Sequence, residues 1–225
     1  MSKEQTKESM RVEVTSALDS LTKASERMRK ELDKMETAGE DLSAEIFEEM
    51  KNVATKFNVW LALYATRLLI GHLVKQFSTE FRPKQQDISK GMAASPFANG
   101  FDIEYKDSDK KISFVAEVKS NIPINKGDAF GGKQKENIKK DLHYLRNGKS
   151  TSYHRLKDAK SLEDYYKFFG IFCDEKGHVE KAMNSLYKTI KDNADIKPIE
   201  FLKEKCELKD LDRNTIYIVL LKDQQ

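Results

Sequence analysis

The 225-residue sequence predicts an α/β fold, in which helices flank a central mixed sheet and a long helical region comes first. Three observations predict this class. Apolar residues keep helical spacing through the first eighty residues, they alternate with polar residues around residues 101–119, and further apolar runs alternate with helical patterns after that. The length suits one or two domains. We divide the chain into a helical region, residues 1–80, and a core, residues 81–225.

The helical region contains two predicted helices. In the first, seam positions are spaced alternately by four and three, and all but Ser25 are apolar: Val14, Leu18, Leu21, Ser25, Met28, Leu32 and Met35. This heptad seam predicts either a helix that packs on its own chain or one that pairs with a second copy. The second helix, at residues 42–77, has a wider apolar stripe that is typical of a core helix. Arg82-Pro83 ends the helical region, because proline disfavours helix at the residue before it.

Between residues 101 and 119 the apolar period becomes that of a strand. One run has Phe101, Ile103 and Tyr105 on its apolar face, and the next has Ile112, Phe114, Ala116 and Val118. Polar residues 106–110 between the runs predict a hairpin. Burying both faces together requires odd-numbered residues opposite even-numbered ones, since a slip of one residue reverses every side chain. If the numbers of two paired residues sum to 219, Asp102 lies opposite Glu117. A register with a sum of 217, which moves each contact by one diagonal step, stays open.

Asp102, Glu117 and Lys119 share the other face of this predicted hairpin. Two facing carboxylates are costly without a compensating cation. Mg²⁺ supplies one, since it takes one or two carboxylates and completes its shell with waters and phosphate oxygens. Lys119 could then lower the pKa of a water, position it, or stabilise developing negative charge. The combination suits hydrolysis of a phosphodiester.

The segment Gly100-Phe101-Asp102, followed by a hairpin and Val115-Ala116-Glu117-Val118-Lys119, resembles the PD-(D/E)XK nuclease superfamily, most closely its type II restriction endonucleases. The resemblance covers about residues 100–119, and Phe101 stands where the motif's name has proline. It implies a restriction-endonuclease-like fold with residues 81–225 as the catalytic core. It also implies catalytic roles for Asp102, Glu117 and Lys119. The Mg²⁺ ligands would be Asp102, Glu117 and the backbone carbonyl of Val118, with Glu80 as a further candidate and Glu104 a weaker one.

A loop and a helix follow the hairpin. The resemblance implies that the loop, residues 121–132, leads from the active site toward DNA. The helix, at residues 133–145, has Ile138, Leu142 and Leu145 as its buried stripe. The residues that we predict to contact DNA are Asn121, Asn125, Lys126, Lys133, Gln134, Lys135 and Lys139. Residues 106–160 carry 14 Lys and Arg against 7 Asp and Glu, although the whole chain has a net charge of only +3. This basic block is typical of a polyanion partner, and a solvated lysine-rich face would look the same.

These observations predict a Mg²⁺-dependent endonuclease that cuts double-stranded DNA, most like a site-specific type II restriction enzyme. Such an enzyme would act as a homodimer, in the cytoplasm, with a cognate DNA methyltransferase in the host. No apolar run reaches the roughly 20 residues that span a bilayer, so we expect no membrane association. Two alternatives stay open: a repair, recombination or structure-selective nuclease of the same fold, and a non-enzymatic coiled-coil DNA-binding protein.

Overall fold

The computed structural model describes residues 44–78, 80, 100–107, 112–120, 129–152 and 156–222. The heptad seam at residues 14–35 and the predicted DNA contacts Asn121, Asn125 and Lys126 lie outside the described residues. The chain divides into two units, Met1–Leu61 and Ala62–Gln225. The boundary between these units lies within helix α1 (Ala44–Gln76). The reason is that the second half of α1 packs on the sheet, with Leu69, Leu73 and Phe77 in the same apolar cluster as sheet residues.

Five strands form one mixed sheet in the second unit. They are β1 (Ile103–Asp107), β2 (Ile112–Lys119), β3 (Tyr166–Phe172), β4 (Ile199–Phe201) and β5 (Ile216–Leu221). Their order across the sheet is β1-β2-β3-β5-β4. β1 and β2 are antiparallel, and the remaining pairs are parallel. The predicted α/β class with a mixed sheet is therefore confirmed.

From Ile103 onward, the β1–β2 pairing follows the register predicted from the alternating pattern. Phe101 departs from the prediction, because it precedes β1 and packs in the apolar cluster on the other face from Ile103 and Tyr105. Ile103 lies opposite Ala116 and Tyr105 opposite Phe114, so paired residue numbers sum to 219. The rings of Tyr105 and Phe114 stack with centroids 5.2 Å apart. This apolar pairing holds the register, because a one-residue slip would bury the polar face instead.

Helices cover both faces of the sheet. The second half of α1 packs on the face that carries Ile103, Phe114 and Phe168. On the other face lie α2 (Gly132–Asn147) and α3 (His178–Ile190). These helices bury apolar stripes against sheet residues such as Val115, Phe169 and Ile218. The outcome is a three-layer arrangement in which Glu117 and Lys119 lie on the face of β2 that α2 covers.

The elements beyond the hairpin agree in part with the sequence. α2 buries Ile138, Leu142 and Leu145 as predicted, and it also buries Asp141. β3 and β5 are buried along nearly their whole length, which explains their continuous apolar runs. The short strand β4 and two single turns of 3-10 helix, Lys160–Leu162 and Leu208–Asp210, were not predicted.

No helix in the described part of the chain is both long enough and apolar enough to span a membrane.

Candidate active site

The hairpin brings Asp102, Glu117 and Lys119 together. Asp102 lies one residue before β1, and Glu117 and Lys119 lie near the end of β2. The Val118 N–H donates to Asp102 Oδ2 at 2.7 Å, which holds this carboxylate against the neighbouring strand. The charge of Asp102 also acts on Glu117, since the two carboxyl groups lie close together. The three residues predicted to be catalytic are therefore neighbours on one side of the hairpin.

Burial governs the electrostatics of the two acids. Glu117 is only 3% exposed, and desolvation raises its pKa well above the ordinary value. The charge of Asp102 raises the pKa of Glu117 further. Desolvation also raises the pKa of Asp102, while the hydrogen bond from Val118 opposes this rise. The buried carboxylate of Glu117, whose charge Asp102 disfavours, therefore forms with Asp102 a site that a cation would stabilise.

Lys119 points to Asp141 of α2. Its Nζ lies 2.6 Å from Asp141 Oδ2, and its side chain is 25% exposed. Burial lowers the pKa of Lys119, but the charge and hydrogen bond of Asp141 outweigh this effect, so the pKa is raised overall. Lys119 is therefore held as an ammonium ion. Sequence analysis missed Asp141, although an acid within the apolar stripe of a helix was a visible signal.

A second lysine, Lys149, reaches the same site from the loop that follows α2. Its Nζ donates to Glu117 Oε1 at 2.9 Å and to the Gly100 carbonyl at 2.6 Å. The ammonium group also lies 5.7 Å from the ring centroid of Phe101 and 5.5 Å from that of Tyr144. Both distances are within the range of cation–π attraction. Nothing in the local sequence marks Lys149, because only tertiary packing brings it to Glu117.

Gly148 sets the direction in which the chain leaves α2. Its φ of +88° lies in a region that residues with a side chain avoid. A Cβ atom built at this position would lie 2.3 Å from the Asp158 backbone nitrogen. The next residue then joins the returning chain, since the Lys149 N–H donates to the Leu156 carbonyl at 2.7 Å. A glycine is thus required for the close backbone contact that places Lys149.

The structure does not bring Glu80 to this site. The Glu80 N–H donates to the Phe77 carbonyl just beyond α1, and Phe77 lines a small cavity with Ile112. Ile112 begins β2, so Glu117 lies five residues farther along the strand, a distance of roughly 16 Å. The charge of Glu80 acts instead on Lys209, which lies outside the site. The role of Glu80 as a metal ligand stays a prediction that these contacts do not support.

Among the described DNA-contact candidates, Gln134 has a structural function at the start of α2. Its Oε1 accepts a hydrogen bond from the Gly131 N–H at 2.9 Å, which caps the helix. Lys133, Lys135 and Lys139 are exposed on α2, and their contact with DNA stays a prediction. Lys133 also contacts Glu136 at 3.3 Å, an exposed pair of little energetic weight. Glu104, on the same strand face as Asp102, accepts a hydrogen bond from the Phe101 N–H at 3.3 Å.

Two carboxylates and one carbonyl are the oxygen donors that a metal would find here. Within the described residues, no group of three or more His, Cys, Asp or Glu side chains is arranged to hold a metal ion. Mg²⁺ does not need such a group, since it keeps several waters and often takes only one or two carboxylates. The Val118 N–H points to Asp102. Since the N–H and C=O of a strand residue point to the same side, the Val118 carbonyl also faces the side of Asp102. The donor set therefore fits a hard, partly hydrated cation.

Comparison of the chain with protein-family models, with curated proteins and with solved structures finds no match in any of the three.

Proposed function

We propose that this protein is a Mg²⁺-dependent endonuclease that hydrolyses phosphodiester bonds of double-stranded DNA, as a site-specific type II restriction enzyme. One observation carries the proposal. Glu117 is a buried carboxylate near the end of a hairpin, the half-buried carboxylate of Asp102 lies beside it, and Lys119 lies two residues further along the same strand face as Glu117. Placing two acids together costs stability, and a bound cation would offset more of this cost than the ammonium group of Lys149 does alone.

Each residue has a separate function in this proposal. Asp102, Glu117 and the Val118 carbonyl would hold Mg²⁺. When bound, Mg²⁺ would neutralise phosphate charge and acidify a water molecule. The Val118 N–H keeps Asp102 oriented through the 2.7 Å hydrogen bond. The α2 layer that covers Glu117 keeps bulk water from the acids, which strengthens their attraction for a cation.

The protonation state of Lys119 determines whether it can accept a proton from water or only donate hydrogen bonds. Asp141 raises the pKa of Lys119 and keeps its ammonium group charged. A charged ammonium group cannot accept a proton from water. Lys119 would therefore donate a hydrogen bond to the attacking water or to a phosphate oxygen, and would stabilise the negative charge that develops there.

The surface outside the acidic pair is suited to a DNA backbone. Exposed lysines on α2, at positions 133, 135 and 139, supply positive charge that can neutralise phosphates. We extend the proposal to a cytoplasmic homodimer with a cognate methyltransferase in the host, because a two-fold enzyme matches a palindromic DNA site.

Digestion of unmethylated phage DNA with the purified protein tests this proposal. With Mg²⁺ present, we expect discrete fragments whose sequenced ends share one short site, and with excess chelator we expect intact DNA. Methylated host DNA, incubated with the protein in parallel, shows whether the enzyme distinguishes modified sites from unmodified ones.

Two other results would redirect the assignment. Cutting confined to branched or single-stranded DNA would replace the restriction function with a repair function at the same site. DNA binding with no metal-dependent cleavage of any substrate would contradict the nuclease proposal and favour a non-enzymatic DNA-binding protein.

A further inference from the structure

Lys149 is the cation that balances Glu117 in this structure. The ammonium group lies 2.9 Å from Glu117 Oε1, at the length of a charge-assisted hydrogen bond. Its side chain is 20% exposed and that of Glu117 is 4% exposed, so the pair is well shielded from solvent. The charge of Lys149 lowers the pKa of Glu117, against burial and against Asp102. One of the two acids is thus already paired with a fixed positive charge.

We propose that Lys149 is an internal counter-ion that occupies the acidic site in the absence of metal and that a divalent cation displaces from Glu117. This inference rests on the proposed function, because it concerns the same two carboxylates. It adds a positioning residue that the motif does not contain. It also makes the metal affinity of the site a competition between the divalent cation and Lys149.

Charge repulsion is the physical reason for displacement. A Mg²⁺ ion lies about 2.1 Å from a ligating oxygen. With Lys149 still on Oε1, the ion and the ammonium group would share one buried carboxylate at close range. Two cations in a shielded site repel each other strongly. Moving the ammonium group away from Glu117 removes this repulsion.

Lys149 has contacts that do not depend on Glu117. The Gly100 carbonyl accepts from Nζ at 2.6 Å, and the rings of Phe101 and Tyr144 lie beside the ammonium group. A lysine that leaves Glu117 therefore keeps a hydrogen bond and aromatic contacts at the edge of the site. The hydrogen bond from the Lys149 N–H to the Leu156 carbonyl also fixes the backbone of this residue.

Calorimetric titration with Mg²⁺, without DNA, tests the inference. The variants are Lys149→Gln, which keeps a donor and removes the charge, and Lys149→Arg, which keeps the charge. Lys157→Met is the matched control, since Lys157 is exposed in the same loop. We expect Lys149→Gln to bind Mg²⁺ about tenfold more tightly than the wild type, because the competing ion pair is gone. Lys149→Arg and Lys157→Met should bind as the wild type does.

Thermal melting gives a second readout. In chelator, Lys149→Gln should still unfold cooperatively, and added Mg²⁺ should raise its Tm by more than it raises that of the wild type. If Lys149→Gln does not fold, Lys149→Met provides the same comparison. Equal or weaker Mg²⁺ affinity in the neutral variants would overturn the inference.

The design separates failure of the inference from failure of the proposed function. Asp102→Asn should abolish Mg²⁺ binding in either background if the two acids are the metal site. Wild-type binding that Asp102→Asn abolishes and that neutral Lys149 variants leave unchanged would overturn the inference alone. Absence of Mg²⁺ binding in both the wild type and the neutral variants would overturn both.

Discussion

Glu117 is buried beside the half-buried Asp102, although the charge of Asp102 raises the free energy of the charged form of Glu117. Burial raises the pKa of both residues, and the charge of Asp102 adds to the rise at Glu117. Carboxylates kept in such an arrangement lower the stability of the metal-free protein and preserve a site for a cation. This is the compromise between stability and function that active sites often show.

Replacing Asp102 with asparagine should stabilise the metal-free protein. The amide oxygen can still accept from the Val118 N–H, while the repulsion of Glu117 is removed. We expect a gain of roughly 1 kcal/mol in the free energy of unfolding, measured by denaturant titration in chelator. The comparison variant Asp141→Asn should lose stability, because it leaves the partly buried Lys119 ammonium without its ion-pair partner. Loss of stability in Asp102→Asn would show that the two acids are not in conflict.

At the scale of single residues, the sequence predicted the site residues whose position follows from the alternation of side chains along a strand. Asp102 and Glu117 face each other because alternation fixes which side chains share a face. Asp141 was missed, although it lies three residues after Ile138 and one before Leu142 on the buried stripe of α2. Lys149 could not be found in this way, since its contact with Glu117 depends on the path of a loop.

At the scale of elements, the junction between α2 and the following loop determines where Lys149 lies. Gly148 has a positive φ and a close backbone neighbour at Asp158. By contrast, Gly132 at the start of α2 has no atom within 4 Å of an added Cβ. Glycine is therefore required at position 148, where a side chain would meet the backbone, and is not required at position 132 at the other end of the same helix.

Gly148→Ala should destabilise the protein by at least about 2 kcal/mol, because the methyl group meets the Asp158 backbone and φ is unfavourable. The measurement is denaturant unfolding in chelator. Gly132→Ala is the matched control and should cause no loss, since the position is open and helical. Equal stabilities of the two variants would contradict this account of the junction.

Lys167, a buried residue of β3, binds three backbone carbonyls at one end of the sheet. Its buried Nζ donates to the carbonyls of Leu162, Tyr165 and Arg213 at 2.8, 3.0 and 2.5 Å. Desolvation, followed by the charge of Arg146, lowers the pKa of Lys167 to about 8. The side chain thus replaces water for three carbonyls at one end of the sheet.

The lowered pKa predicts a pH dependence. Between about pH 8 and the ordinary lysine value of 10.5, the unfolded chain binds more protons at this residue than the folded chain does. Stability contributed by Lys167 therefore rises as pH increases through this window. We expect the difference in unfolding free energy between the wild type and Lys167→Met to grow from pH 8 to pH 10. A difference that stays constant or shrinks would contradict the lowered pKa.

Elements with a clear period were predicted within a few residues, and elements without one were missed. The hairpin and its register followed from alternation over five and eight residues in β1 and β2. β4 has only three residues and begins directly after Pro198, so it carries no period that could reveal it. The partner of each strand in the parallel part of the sheet depends on crossovers that the local sequence does not specify.

At the scale of the whole molecule, the charge distribution complements the proposed site. The net charge is +3, yet residues 106–160 contain twice as many basic as acidic residues. Glu117 and Asp141 are acids within this basic block, and both lie buried beside lysines. A nuclease requires this combination, since cations attract the DNA backbone and a small group of acids holds the metal.

The central claim is that Asp102, Glu117 and Lys119 cut DNA, and the Lys119→Ala variant tests it most directly. The measurement is the single-turnover rate of phage DNA cleavage in Mg²⁺, with DNA affinity determined in parallel. We expect the cleavage rate to fall by about 10²-fold or more while the DNA dissociation constant changes little, because Lys119 acts on the reacting phosphate. Lys176→Ala, an exposed lysine in the turn before α3, is the matched control and should cut normally. Cleavage by Lys119→Ala at the wild-type rate would contradict the account.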